Sequence, residues 1–152
     1  MLVAGIGNLF LSDDGFGPEV VRRLAEQGDL PQDVRLVDYG TRGMHLAYDL
    51  LAGYRALVIV DALSGDGEPG DITVLEVGEE HLRPGAFDPH GMAPVAVLAN
   101  LHHLGGTLPL TYLVGCRPHT VEEGIGLSVS VTAAVPAAIS VVRDLLRERV
   151  VV

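Results

Sequence analysis

The stretch LVAGIGNLFLSDDGFGP, residues 2–18, decides the fold. Leu2–Ile6 is short and continuously apolar, as a strand covered on both faces must be. Gly15 and Gly17 then lead into Pro18, whose fixed φ and missing N–H suit the first turn of a helix. Val20, Val21, Leu24 and Ala25 recur at helical spacing, so that helix lays one face on a sheet. Between strand and helix stand Asp13 and Asp14, two adjacent carboxylates that repel each other. Either something makes that juxtaposition useful or the loop is simply hydrated.

The alternation continues along the chain. Val34–Val37 reads as a second strand, ending in the turn-like DYGTRG, residues 38–43, and Met44–Ala52 as a helix. Leu57–Val60 is a third strand that stops at Asp61. The glycine-rich LSGDGEPGD, residues 63–71, precedes Ile72–Val77, which alternates as a strand with one face less buried. Its short connection predicts an antiparallel partner of the third strand or a neighbour at the sheet edge. Glu79–Gly91 reads as irregular, a helix follows from about Met92 to Leu104, and Leu110–Val114 is a last strand. Ser128 is placed to cap a final helix to about Arg149, with Pro136 kinking it or resetting its start. This pattern predicts an α/β fold: a three-layer α/β/α sandwich on a mostly parallel five-stranded sheet with one antiparallel edge strand, in a single domain over residues 1–152.

Composition narrows the classes. Hydrophobic residues make up 48% of the chain, enough for a large core and too many for a disordered segment. The formal net charge of -10 opposes nucleic acid and anionic lipid at long range. Every basic residue is arginine, which removes any mechanism that needs a lysine amine. The lone Cys116 excludes an intramolecular disulfide framework and fits a reducing compartment. With no signal-peptide pattern at its strand-like start, the chain is expected in the cytoplasm. The uncharged stretches from Pro89 to Cys116 and from Gly124 to Val142 are broken by prolines and polar residues, and read as core elements rather than membrane spans.

In a parallel sheet, the loops after the first and third strands emerge at the carboxyl edge, where open α/β folds place their ligands. Asp13 and Asp14 lie in the first of these loops, Asp61 ends the third strand, and His90 falls in the irregular segment that the same topology brings there. Carboxylates and an imidazole suit a borderline divalent ion such as nickel or zinc, and an ion would remove the repulsion in the acidic pair. Plainer roles exist for each: Asp61 capping a turn, His90 in a solvated loop, one of the pair stabilising the helix amino end. His45, His81, His102, His103 and His119 suggest no chemistry. Cys116 closes an apolar strand, and no Gly-x-Ser-x-Gly elbow is present. GIGNLF begins like a dinucleotide fingerprint, but Phe10 stands where the third glycine belongs.

Taken in order, GIGNLFLSDDGFG, DYGTRG, VIVDAL, DPHGMAPVAVL, VGCRP and GIGLS resemble the nickel-iron hydrogenase maturation endopeptidases over nearly the whole chain. The resemblance implies a cytoplasmic peptidase, monomeric and meeting its substrate transiently. It would remove a C-terminal extension from a hydrogenase large-subunit precursor once nickel has been inserted. It assigns the metal ligands to Asp14, Asp61 and His90, choosing the second acid of the pair where the residues alone leave both open. Nickel then arrives with the precursor rather than being held tightly. The DYGTRG segment, by the same resemblance, places Asp38, Gly40 and Thr41 beside the substrate tail. A tight strand-to-helix turn explains Gly40 and Thr41 equally well.

Two rivals share these features. A receiver-like signalling module also gathers acids around magnesium, but it relies on a lysine near its last strand, and this chain has none. A nickel checkpoint protein that binds the precursor without cutting it carries the same ligands.

Overall fold

The computed structural model describes residues 1–82 and 93–149. Five strands, β1 (Leu2–Ile6), β2 (Arg35–Gly40), β3 (Ala56–Ala62), β4 (Ile72–Val77) and β5 (Leu110–Cys116), join in one sheet of order β2-β1-β3-β5-β4. The first three neighbouring pairs in that order are parallel, and β4 runs antiparallel to β5. The expected edge position of β4 holds. Its partner is β5 rather than β3, because β5 inserts between the two strands that are consecutive in sequence.

Side chains alternate across the central strands with period two, so each strand feeds two cores. Val3, Val58, Val60 and Val114 face α1 (Phe16–Gln27) and α4 (Val129–Asp144), where Phe16, Val20, Leu24, Val135 and Val142 meet them. Leu2, Ala4, Leu57, Ile59 and Leu113 point the other way, onto Leu46 and Leu50 of α2 (Gly43–Leu50) and Leu98 and Leu101 of α3 (Ala93–His103). These two apolar layers make the three-layer architecture. Fully burying one such leucine or valine contributes roughly 1.5–3 kcal/mol.

Helix α4 runs unbroken through Pro136, so the proline does not reset its start, and a wider π-type turn, Leu145–Arg149, extends it. The span Val129–Glu148 is long and apolar enough to cross a membrane. Its Val131, Val135, Ala138 and Val142 are instead buried against the sheet and α1, as in the core helix of an α/β domain.

Two glycines set how closely α1 approaches the sheet. A Cβ at Gly17 would run into the Val60 carbonyl oxygen of β3 and the backbone of Ile6 in β1. At Gly7 the backbone has φ +146, and a Cβ there would overlap the Asp14 carbonyl oxygen. Main chain therefore touches main chain where β1 turns into the helix.

Candidate active site

The sheet order supplies the site. From β1 the chain steps outward to β2, then returns to place β3 on the other side of β1. The connections diverge between β1 and β3, and such a switch point opens a crevice at the carboxyl edge. Asp14 follows β1 and Asp61 lies near the end of β3, so the two carboxylates sit on opposite lips of that crevice. Strand β3 continues through Asp61 to Ala62, which makes Asp61 part of the ladder rather than the cap of a turn.

Residues Ser12–Gly15 form a 3-10 turn that points the adjacent acids in different directions. Asp13 is fully buried. Its Oδ2 accepts hydrogen bonds from the backbone N–H of His119 (2.8 Å) and Thr120 (3.1 Å) and from the Ser128 hydroxyl (2.8 Å). Its Oδ1 accepts from the Ser128 N–H at 2.7 Å. Burial alone would raise the pKa of this carboxyl, but these donors outweigh it and hold the group below its usual range. Asp13 thus ties the loop after β5 to the loop after β1. Ser128 does precede α4, yet its hydroxyl serves Asp13 instead of capping the helix.

Asp14 is only half-buried, and its Oδ2 accepts one bond from the Asn8 N–H at 2.8 Å. Asp61 is 6% exposed. Burial, reinforced by the negative charge of Asp14, pushes its pKa well above the ordinary carboxylate value, against one backbone hydrogen bond from Ala62 that opposes the rise. Asp14 therefore repels Asp61, a carboxylate far from it in the sequence, and not only its neighbour. A cation between them would reverse the sign of that interaction. Among the described residues no third histidine, cysteine or acid completes a metal-holding group. His90 lies outside the described residues.

Beside the crevice, Gly7, Asn8, Leu9, Phe10, Asp38, Gly40 and Thr41 line an open hollow of about 290 Å³. The three residues that the DYGTRG motif singles out therefore share one hollow with the glycine turn. Asp38 Oδ1 accepts from the Gly40 N–H at 2.8 Å, and Gly40 adopts φ +56, so the tight turn is also real. The Gly40 carbonyl accepts from the Gly7 N–H at 3.0 Å, joining both walls of the hollow.

Cys116 is buried, and burial together with the charges of Asp13 and Asp71 pushes its thiol up to about 11. Such a thiol is inert at neutral pH, as expected for a core residue. The sequence marks the asparagine of the opening motif but assigns no contact to Asn8, whose backbone N–H orients Asp14, and none to Arg117. The guanidinium of Arg117 donates to the carbonyls of Leu63 and Asp66, both at 2.6 Å, and shapes the loop leaving Asp61. Asn8 follows the glycine turn directly and was findable. The partners of Arg117 lie more than 50 residues away, as those separations of 51 and 54 show, and no local pattern announces them.

Comparison with known proteins gives the family and the fold. The family model described as hydrogenase maturation protease matches residues 18–145. The hydrogenase 2 maturation protease of Escherichia coli is 35% identical over 150 residues, covering 97% of this chain and 91% of that protein. The hydrogenase expression/formation protein HupD of Rhodobacter capsulatus is 34% identical, covering 95% of this chain and 70% of its own length. Among solved structures, the hydrogenase maturating endopeptidase HybD from E. coli superposes with TM-score 0.82 at 33% identity, over 97% of this chain and 91% of that one. A hydrogenase 2 maturation peptidase from a Thaumarchaeota archaeon superposes with TM-score 0.72 at 31% identity, over 96% and 97%.

Proposed function

The chain belongs to the hydrogenase maturation protease family, and from that premise we infer that it trims the C-terminal extension of a hydrogenase large-subunit precursor in response to the precursor's nickel. The peptidase class comes with the family; the role of nickel is our reading of the crevice. The observation that carries it is the Asp14 and Asp61 pair at the switch point, a buried acid facing a second carboxylate across an open edge. Among the described residues no arginine pairs with either carboxylate, and the chain has no lysine. A divalent ion carried in by the substrate supplies the missing charge, and oxygen donors with the His90 imidazole suit nickel.

In this reading the Asn8 N–H holds Asp14 by Oδ2, leaving Oδ1 to meet the ion. Asp61 faces the ion from β3, and His90 completes the set. The hollow lined by Asp38, Gly40 and Thr41 receives the extended tail next to the scissile bond. Nickel acts as the licence for cleavage, because an unfilled precursor lacks the contact that docks it. A bound ion can also polarise a carbonyl or activate water. The enzyme works as a monomer in the cytoplasm, in keeping with its single reduced cysteine and its acidic charge.

The test is to offer the purified protein the same precursor with and without nickel and to weigh the products by mass spectrometry. Trimming of the loaded precursor alone is the expected result. Equal trimming of both ends the licence, and no trimming of either restores the non-cleaving checkpoint.

A further inference from the structure

The loops that flank the crevice on its α1 side are zipped together. Leu11 and Gly124 form a parallel bridge, the Ser12 N–H donates to the Gly124 carbonyl at 2.8 Å, and the Gly124 N–H donates to the Phe10 carbonyl at 2.9 Å. The Ser12 hydroxyl adds a bond to the Glu122 carbonyl at 2.8 Å, and Asp13 anchors both loops from beneath. On this braced base large apolar side chains stand in solvent: Leu9 is 50% exposed, Phe10 67%, Val121 48% and Ile125 82%. Between Leu9, Ile125, Leu127, Gly15 and Thr132 lies a second cavity, of about 270 Å³. Leu9 lines this cavity and the one holding Asp38, so the surface is continuous with the hollow beside the crevice.

We propose that this braced pair of loops is the surface on which the folded body of the hydrogenase precursor docks, through an apolar patch bordered by lysine or arginine. The proposal rests on the functional reading above. Apolar side chains fixed in advance by backbone bonds lose little freedom on binding, which is what an interface anchor needs. Continuity with the crevice selects the precursor as occupant, because the protein whose tail enters the cleft lies against its rim. The charge requirement comes from Glu122 and Glu123, exposed on the same loop of a chain with net charge -10, while the nearby Glu19 is already paired with Arg22 and Arg23.

The experiment compares the full-length wild type with Val121→Ser/Ile125→Ser and with Glu122→Gln/Glu123→Gln on nickel-loaded precursor. The apolar double variant is expected to raise KM about ten-fold with kcat within about two-fold, the size of an anchor residue's loss. The charge variant raises KM about three-fold at low salt, and the difference disappears at high salt. Melting curves of the variants, expected to match the wild type because these side chains are exposed, separate docking from misfolding. An unchanged KM in the apolar variant overturns the proposal. So does an equal loss on a synthetic peptide of the tail alone, which would assign the surface to the tail, or a wild-type dimer that the substitutions dissolve without changing KM, which would assign it to a second copy. If the wild type leaves the precursor uncut, the functional reading fails by itself. Precursor binding by calorimetry then judges the surface, with a ten-fold weakening in the apolar variant supporting it and no change overturning it.

Discussion

Asp13 and Asp61 are both nearly or wholly sealed from solvent, and their acidities move in opposite directions. Asp13 sits among four donated hydrogen bonds and is held as an anion. Asp61 sits opposite another carboxylate with one backbone donor to help it, and resists ionisation. Burial pushes both upward; the donors around Asp13 reverse that push, and the single donor at Asp61 does not. A buried acid surrounded by donors is a structural tie, whereas one left facing a like charge across a crevice is waiting for a cation.

The sharpest way to break this contrast is to exchange each acid for its amide. If the proposed nickel contact holds, Asp61→Asn or Asp14→Asn is expected to lower precursor cleavage by about a thousand-fold through loss of a charged ligand, as single-turnover assays would show. Asp13→Asn turns an acceptor into a donor that meets the N–H groups of Ser128, His119 or Thr120, and should destabilise the fold by about 3 kcal/mol in urea titrations. If Asp13→Asn instead leaves stability intact and abolishes nickel-dependent cleavage, the assignment of the two neighbours is reversed.

Acidification sharpens the comparison further. The depressed pKa of Asp13 contributes stability that is complete above the ordinary carboxylate value and is lost as pH falls through the folded-state value. Asp61, whose pKa is raised, works the other way: its cost to stability sets in as pH rises past the ordinary carboxylate value, is complete above the folded-state pKa, and vanishes in acid. Without metal, Asp61→Asn should therefore stabilise the protein at neutral pH by about 1 kcal/mol, and the gain should shrink as pH falls in thermal melts. The smallest effect belongs to Cys116→Ala, which is expected to leave cleavage within about two-fold and so keep the thiol out of the reaction.

Much of this was legible in the residues. The apolar run of β3 ended at Asp61, the glycine turn preceded the helix, and loops after parallel strands share an edge, so Asp61 and the acidic pair were placed without coordinates. The functions of Asp13 and Asp14 were not separable, because what distinguishes them is contact with residues 119–128, more than 100 positions away. The true partner of β4 was hidden for another reason: alternation reveals a strand and its exposed face, but not which strand it pairs with. Asp38, Gly40 and Thr41 were named together, and they do line one hollow, although Gly40 is also explained by its turn.

The close seating of Gly17 has one more consequence. Because α1 meets β1 and β3 through main-chain atoms there, it cannot slide without dragging the ends of both strands, and the span separating the two lips works as a gauge cut in backbone. Side chains repack with temperature and mutation, but peptide units keep their dimensions. Any methyl group at that position would spread the jaws, so even Gly17→Ala is expected to widen the gap between the two lips before it unravels the sheet, as a structure and a melting curve of the variant would show.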